Sequence, residues 1–204
     1  MKLVHTEFLV QKGPFASSPE WDKLHADIQD AIQGVVWPEG SPKFLFDPSS
    51  KGRGRGEGNG VVPIKEAFCH LLSQRGWDLE TKLAIAARRS PGPLDATNRL
   101  SDGRYFAVEW ETGNISSSHR AVNKMALGML RGVLAGGVLV LPTRLMYGFL
   151  TDRIGNYEEL SPYFDLWKAL PVNDGILAII AVEHDGTDPK APRIKKGTDG
   201  RALA

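Results

Sequence analysis

One cysteine, Cys69, is too few to close a disulfide within a chain of 204 residues, so packing alone must hold the fold. No run of about 18 apolar residues occurs and no secretory leader is read at the start, so no membrane span is expected and a reducing cytoplasm is the expected setting. An excess of one charge is lacking too. With 25 Lys and Arg against 24 Asp and Glu the net charge is +1, which identifies no class of partner, and local clusters have to be read instead. The five histidines show no metal-ligand spacing, His119 beside Arg120 included. A glycine-rich run, Lys51 to Gly60, holds five glycines and three cations, but no Gly-Lys-Ser or Gly-Lys-Thr follows it. That excludes a phosphate-binding P-loop and any expectation of a nucleotide cofactor, and leaves a mobile basic loop suited to a polyanion.

What is present is organised around Arg104 to Lys124. Phe106, Val108 and Trp110 alternate with Ala107, Glu109 and Glu111, the period-two pattern of a strand with two unlike faces. Glu109 and Glu111 therefore share a face, with Cα atoms roughly 6.6 Å apart. Thr112-Gly113-Asn114 reads as a turn, and the serines 116 to 118 as the N-cap region of a helix that carries Arg120 and Lys124.

A hydrophobic content of 42% is ample for one core, and residues 1–204 are read as a single domain. Ser18-Pro19 opens a helix with Trp21, Leu24, Ile28 and Ile32 on one face and Gly34 as its stop. Lys43 to Phe46 is a candidate short strand, Pro63 opens a second helix ending near Gly76, and Leu83 to Ala87 is a further candidate strand. The helix from about Ser117 carries Val122, Met125, Met129 and Val133, with Gly136-Gly137 expected to end it. Val138 to Leu141 and Ile176 to Val182 have the unbroken apolar character of strands covered on both faces, and a helical stretch spans 157–169. Strand, helix and strand over 105–141 form a βαβ-like unit, so the expected class is α/β, a central mixed sheet flanked by helices. The tail from Asp185 has little apolar content and is expected to be a mobile C-terminal arm, 185–204.

Asp95, in a Pro-Leu-Asp step, precedes Glu109 by fourteen positions. From adjacent strands Asp95, Glu109 and Glu111 can converge, and three acids without a His or Cys set favour a hard cation such as Mg²⁺, completed by substrate phosphate oxygens. Such a site suits phosphodiester hydrolysis by an activated water. The same acids would also suit glycoside hydrolysis, or simply solvate an edge strand; the nearby cations favour a polyanionic substrate.

Pro-Leu-Asp95 with Glu109-x-Glu111 resembles the nuclease core of type II restriction endonucleases, with Glu111 standing where a lysine is commoner. That variant, together with Gly60-Val-Val-Pro-Ile-Lys-Glu66, Glu111-Thr-Gly-Asn-Ile-Ser-Ser117, Leu150-Thr-Asp-Arg153 and Lys196-Gly-Thr-Asp-Gly200, is similar to the BamHI family, in order along most of the chain. The resemblance implies a restriction-endonuclease-like fold, Mg²⁺, double-stranded DNA as partner, and a homodimer cutting the palindrome GGATCC in a bacterial cytoplasm. It also implies that Asp95, Glu109 and Glu80 bind metal and that Glu111 is the general base. Lys65, Asn114, Ser116, Arg120, Asp152, Arg153 and Asp199 are implied to contact DNA, with Asp152 and Arg153 reading a G·C pair. For that pair the chemistry agrees: Arg bonds guanine O6 and N7, and Asp accepts from cytosine N4. The helix near Val122 to Met129 and the stretch near Glu158 to Trp167 are implied to form the dimer interface. Two other readings stay open, a repair-type metal nuclease of looser specificity and a catalytically silent DNA-binding module.

Overall fold

A computed structural model describes residues 1–51, 58–85, 92–151 and 154–196. In chain order the elements are β1 (Lys2–Lys12), α1 (Pro19–Gly34), β2 (Leu45–Phe46), α2 (Val62–Ser73), β3 (Asp78–Thr81), β4 (Leu94–Arg99) and β5 (Tyr105–Trp110). They continue with α3 (Ile115–Leu130), β6 (Leu134–Pro142), α4 (Arg144–Tyr147), α5 (Tyr157–Leu160), α6 (Phe164–Lys168), β7 (Gly175–Glu183) and β8 (Gly186–Thr187). Among the described residues, six strands form one sheet in the order β1-β7-β6-β5-β4-β3. The central pairs β5/β6 and β6/β7 are parallel and the outer pairs antiparallel, so the sheet is mixed as expected. Among the described residues no helix is long and apolar enough to cross a membrane.

Alternation along the strands divides the core. Phe106, Val108, Val138, Val140 and Ile176 face a cluster built with Trp21, Leu24 and Ile28 of α1 and Ile64 and Phe68 of α2. Ala107, Leu139, Leu141, Leu177 and Ile179 face Val122, Met125 and Ala126 of α3 with Phe164 and Trp167 of α6. Helices thus cover both faces, and β5-α3-β6 is the crossover that returns the chain parallel to itself.

Several sequence expectations need correction. The helix α3 is capped by Asn114, whose side chain accepts from Ser116 N and Ser117 N, so the serine run lies inside the first turn. The helix ends at Leu130, and the reversal is made at Gly132, φ +68°, while Gly136 and Gly137 lie inside β6. A Cβ on Gly136 would strike the Ile176 carbonyl and the Phe106 ring, and one on Gly137 the Met125 side chain, so these glycines permit close packing rather than a stop. The strand expected at Leu83 to Ala87 is displaced. Asp78–Thr81 pairs with β4 instead, and Leu83 to Ile85 is a bend that buries Ile85 in the core. Ala86 and Ala87 lie outside the described residues. The edge strand β1 is an addition to the expected elements, and 157–169 is two short helices joined by a 3₁₀ turn at Ser161–Tyr163.

Arg53 and Arg55 of the glycine-rich run lie outside the described residues, but its last three positions are buried rather than loose. Asn59, 1% exposed, donates to Ser50 Oγ and the Phe149 carbonyl and accepts from Ile194 N at 2.9 Å. It thereby ties 58–60 to Phe149 and to the tail. Up to Lys196 the tail is also fastened by β8, which pairs with β2, and by buried Ala191 and Ile194.

Candidate active site

The two strands β4 and β5 lie side by side with Ala96 opposite Val108, which sets Asp95 next to the end of β5. Trp110 N–H donates to Asp95 Oδ2 at 2.8 Å, and Asp95 N–H lies 3.4 Å from Glu109 Oε2. On the other side of β4, Glu80 stands between Leu79, paired with Ala96, and Thr81, paired with Leu94; it is the one described non-glycine residue at positive φ, +52°. From α2, Lys65 Nζ reaches Asp95 Oδ1 at 2.7 Å and Glu80 Oε1 at 3.5 Å. From α3, Lys124 Nζ stands 3.7 Å from Glu109 Oε1 and donates to the Gly92 and Pro93 carbonyls.

Glu111, immediately past β5, is 4% exposed. Gly113 N–H donates to its Oε1 at 2.6 Å and the Ser118 hydroxyl to its Oε2, while Gly155 N–H on the Gly113 carbonyl pins the turn. Asp95, Glu109 and Glu111 line one cleft of about 900 Å³, with Ser116, Arg120 and Lys124 along its α3 wall. The shared face read from the alternation is thus real, but the three acids do not close on one point. Among the described residues no group of three or more His, Cys, Asp or Glu side chains stands as a ready metal cluster. Each acid is engaged separately: Asp95 by Lys65, Glu109 by Lys124, Glu111 by the helix it precedes.

Burial sets the protonation of the site. It raises Glu109 to about 7, helped by the Asp95 charge and opposed by Lys124. It raises Glu111 to about 7 as well, against the hydrogen bonds from Ser118, Gly113 and Thr112. Burial works against the Lys65 ammonium, but Asp95 and then Glu80 outweigh it and hold its pKa above the ordinary lysine value. The Cys69 thiol nearby is pushed up to about 12 by burial and the Asp95 charge, so in the metal-free protein it stays protonated at neutral pH.

The donor set fits a hard divalent cation. Asp95 and Glu109 offer oxygens from neighbouring strands, and their charge is already compensated by two ammonium groups, which is where positive charge is wanted. Of the implied DNA-contacting residues, Ser116 and Arg120 are exposed along the cleft. Asn114 opens instead onto a neighbouring hollow with Tyr147 and Glu159, its Oδ1 engaged as the helix cap. Lys65 points at the acids. Asp152, Arg153 and Asp199 lie outside the described residues. Sequence reasoning missed Ser118 as the partner of Glu111 and Lys124 as the partner of Glu109. The three-and-four spacing Ser117, Arg120, Lys124 puts the cations on one helical face and could have singled out Lys124; nothing in the spacing announces Ser118.

Comparison with known proteins identifies the family of the chain. The family described as restriction endonuclease BamHI matches residues 1–201. The chain is 50% identical over 203 residues to the type II restriction enzyme OkrAI of Oceanobacter kriegii, covering all of both chains. It is 33% identical over 207 residues to the type II restriction enzyme BamHI of Bacillus amyloliquefaciens, covering 97% of this chain and 92% of that one. A crystal structure of the restriction endonuclease BglII complexed with a DNA 16-mer superposes with a TM-score of 0.63 at 12% identity, covering 100% of this chain and 97% of that one, a likeness of fold. With a family match over residues 1–201 and relatives 50% and 33% identical along nearly its whole length, the chain belongs to the BamHI family of type II restriction endonucleases, site-specific deoxyribonucleases.

Proposed function

We propose that the chain acts as a homodimer in a bacterial cytoplasm, cutting both strands of GGATCC in a Mg²⁺-dependent reaction. The observation that carries this reading is the cleft in which Asp95 and Glu109, on adjacent strands, face the cationic wall of α3 while Glu111 is held separately beyond them. Asp95 and Glu109, with Glu80 across Lys65 from Asp95, would hold Mg²⁺, which when bound lowers the pKa of water and stabilises charge on the phosphodiester oxygens. Glu111 takes the place of the commoner lysine and accepts the proton of the attacking water. Its pKa near 7 suits it to that task at neutral pH, and the bonds from Gly113 and Ser118 hold its orientation. Arg120 and Ser116 lie where a backbone along the cleft would be met, and Asp152 with Arg153 would read a G·C pair in the major groove. Two-fold symmetry of a dimer matches a palindrome, one half-site to each subunit.

Digestion of plasmid DNA with Mg²⁺ followed by sequencing of the ends tests the reading. Ends at GGATCC support it; scattered ends favour a nuclease of looser specificity, and intact DNA a silent binding module. Glu109→Ala is expected to abolish cleavage and spare sequence-specific binding, measured by gel shift without metal. Arg153→Ala is expected to weaken cognate binding by about 1–3 kcal/mol and relax discrimination at one base pair, whereas equal losses on cognate and mismatched sites would count against base readout.

A further inference from the structure

The two lysines that neutralise the acidic site are held in different ways. Lys124 Nζ donates to two backbone carbonyls, Gly92 at 2.9 Å and Pro93 at 2.8 Å, and its carboxylate partner is farther off, 3.7 Å away. Lys65 Nζ is held by carboxylates alone, Asp95 at 2.7 Å and Glu80 at 3.5 Å. We propose that Lys65 is the resident counter-ion of the metal site, an ammonium between Asp95 and Glu80 that a divalent cation displaces on binding, while Lys124 stays in place. The inference rests on the reading of Asp95 as a metal ligand.

The physical reasons are local. The Asp95 side chain is 12% exposed, and a carboxylate so buried is strongly destabilising without a compensating cation. An ammonium in contact with Asp95 Oδ1 and a divalent ion on the same carboxylate would sit within a few ångströms of each other and repel. Lysine is a point charge on a flexible stem, so leaving one partner for another disrupts no forked geometry. Metal binding does not change the carbonyls that hold Lys124, which is why that side chain has no reason to move. A displaced Lys65 ammonium needs a new anionic partner, and a DNA phosphate is one. Metal and DNA would then favour each other's binding through this side chain, by reciprocal linkage.

Calcium binding to the full chain without DNA, followed by titration calorimetry and thermal unfolding, tests the proposal. In the wild type Ca²⁺ should raise the melting temperature, and Asp95→Asn should remove that effect; if Ca²⁺ binds without dependence on Asp95, the metal-site reading fails and this proposal with it. Given that dependence, Lys65→Met should melt below the wild type without Ca²⁺, bind Ca²⁺ about tenfold or more tightly, and gain more from it in melting temperature. Lys124→Met should change the affinity by less than about threefold. Unchanged affinity in Lys65→Met, or equal tightening in both variants, would overturn displacement, the second by revealing a general charge effect. Should Lys65→Met not fold, Lys65→Arg supplies the test. Its forked guanidinium locks onto the carboxylate and must weaken Ca²⁺ binding several-fold, and wild-type affinity in that variant would overturn the proposal.

Discussion

Glu109 and Glu111 stand two positions apart at one strand end, and burial raises both to about 7, yet their neighbours differ in kind. Glu109 shares its surroundings with charges, Asp95 and Lys124, whereas Glu111 is surrounded by hydrogen-bond donors. That difference suits one to hold a cation and the other to take a proton. It also gives the metal-free protein a distinctive pH dependence. Between the ordinary value of 4.5 and about 7 the folded state binds the Glu111 proton more tightly than the unfolded chain, so this residue's contribution to stability falls as pH rises through that window and is flat above it. Glu111→Gln keeps an oxygen for Gly113 N–H and a group for the Ser118 hydroxyl. It should therefore raise stability at pH 8 by up to about 3 kcal/mol and leave it nearly unchanged at about pH 4, as read from urea unfolding at both pH values. A gain of equal size at both would show that Glu111 is not strained by its charge. That two acids share a face was readable from alternation; which donors tune each was not, because Ser118 comes from the next helix.

At the scale of elements, the junction between β5 and α3 carries the most consequence, since the first turn of α3 is both a structural start and a wall of the cleft. Asn114 stands at that start: its Oδ1 caps the helix, and the residue is exposed and opens onto the hollow beside the cleft, where a role in DNA recognition is proposed for it. The roles separate by substitution. Asn114→Ala should lose the cap, about 1 kcal/mol of stability, together with selective DNA binding. Asn114→Asp retains a capping oxygen and should hold stability within about 0.5 kcal/mol while still losing binding selectivity. Thermal unfolding beside gel shifts on cognate and mismatched duplexes gives both readouts, and an Asp variant that binds normally would remove Asn114 from recognition. The long periodic helices α1 and α2 were readable in the sequence because one apolar stripe and a proline start define each. The end of α3 was misplaced because two glycines signal a stop equally well as a close approach, and only the neighbours of Gly136 and Gly137 distinguish the two.

For the whole molecule, DNA binding is expected to draw on segments that leave a common root. The strand-like link of Gly58 to Gly60 with Leu150 and Lys195 gathers the chain just before Asp152-Arg153 and the last residues. Since Ile194 is buried and bonded to Asn59, a truncation that spares the fold must begin after Lys196. Deleting 197–204 should weaken binding and lower the slope of log affinity against log salt by about 0.9 for each DNA phosphate that the shortened chain no longer neutralises, with urea unfolding as the control that the variant is folded. An unchanged slope would rule out the tail as a DNA-binding arm. Local pattern alone determined the class of the fold, the crossover unit and the order of the acidic residues, because periodicity and turn chemistry act over a few neighbouring positions. Only the tertiary structure decided that Lys65 and Lys124 neutralise the acids, that Ser118 holds Glu111 and that Asn59 knits three distant segments. Each of those interactions joins separate elements, and their geometry is set by how the helices pack on the sheet rather than by any spacing along the chain.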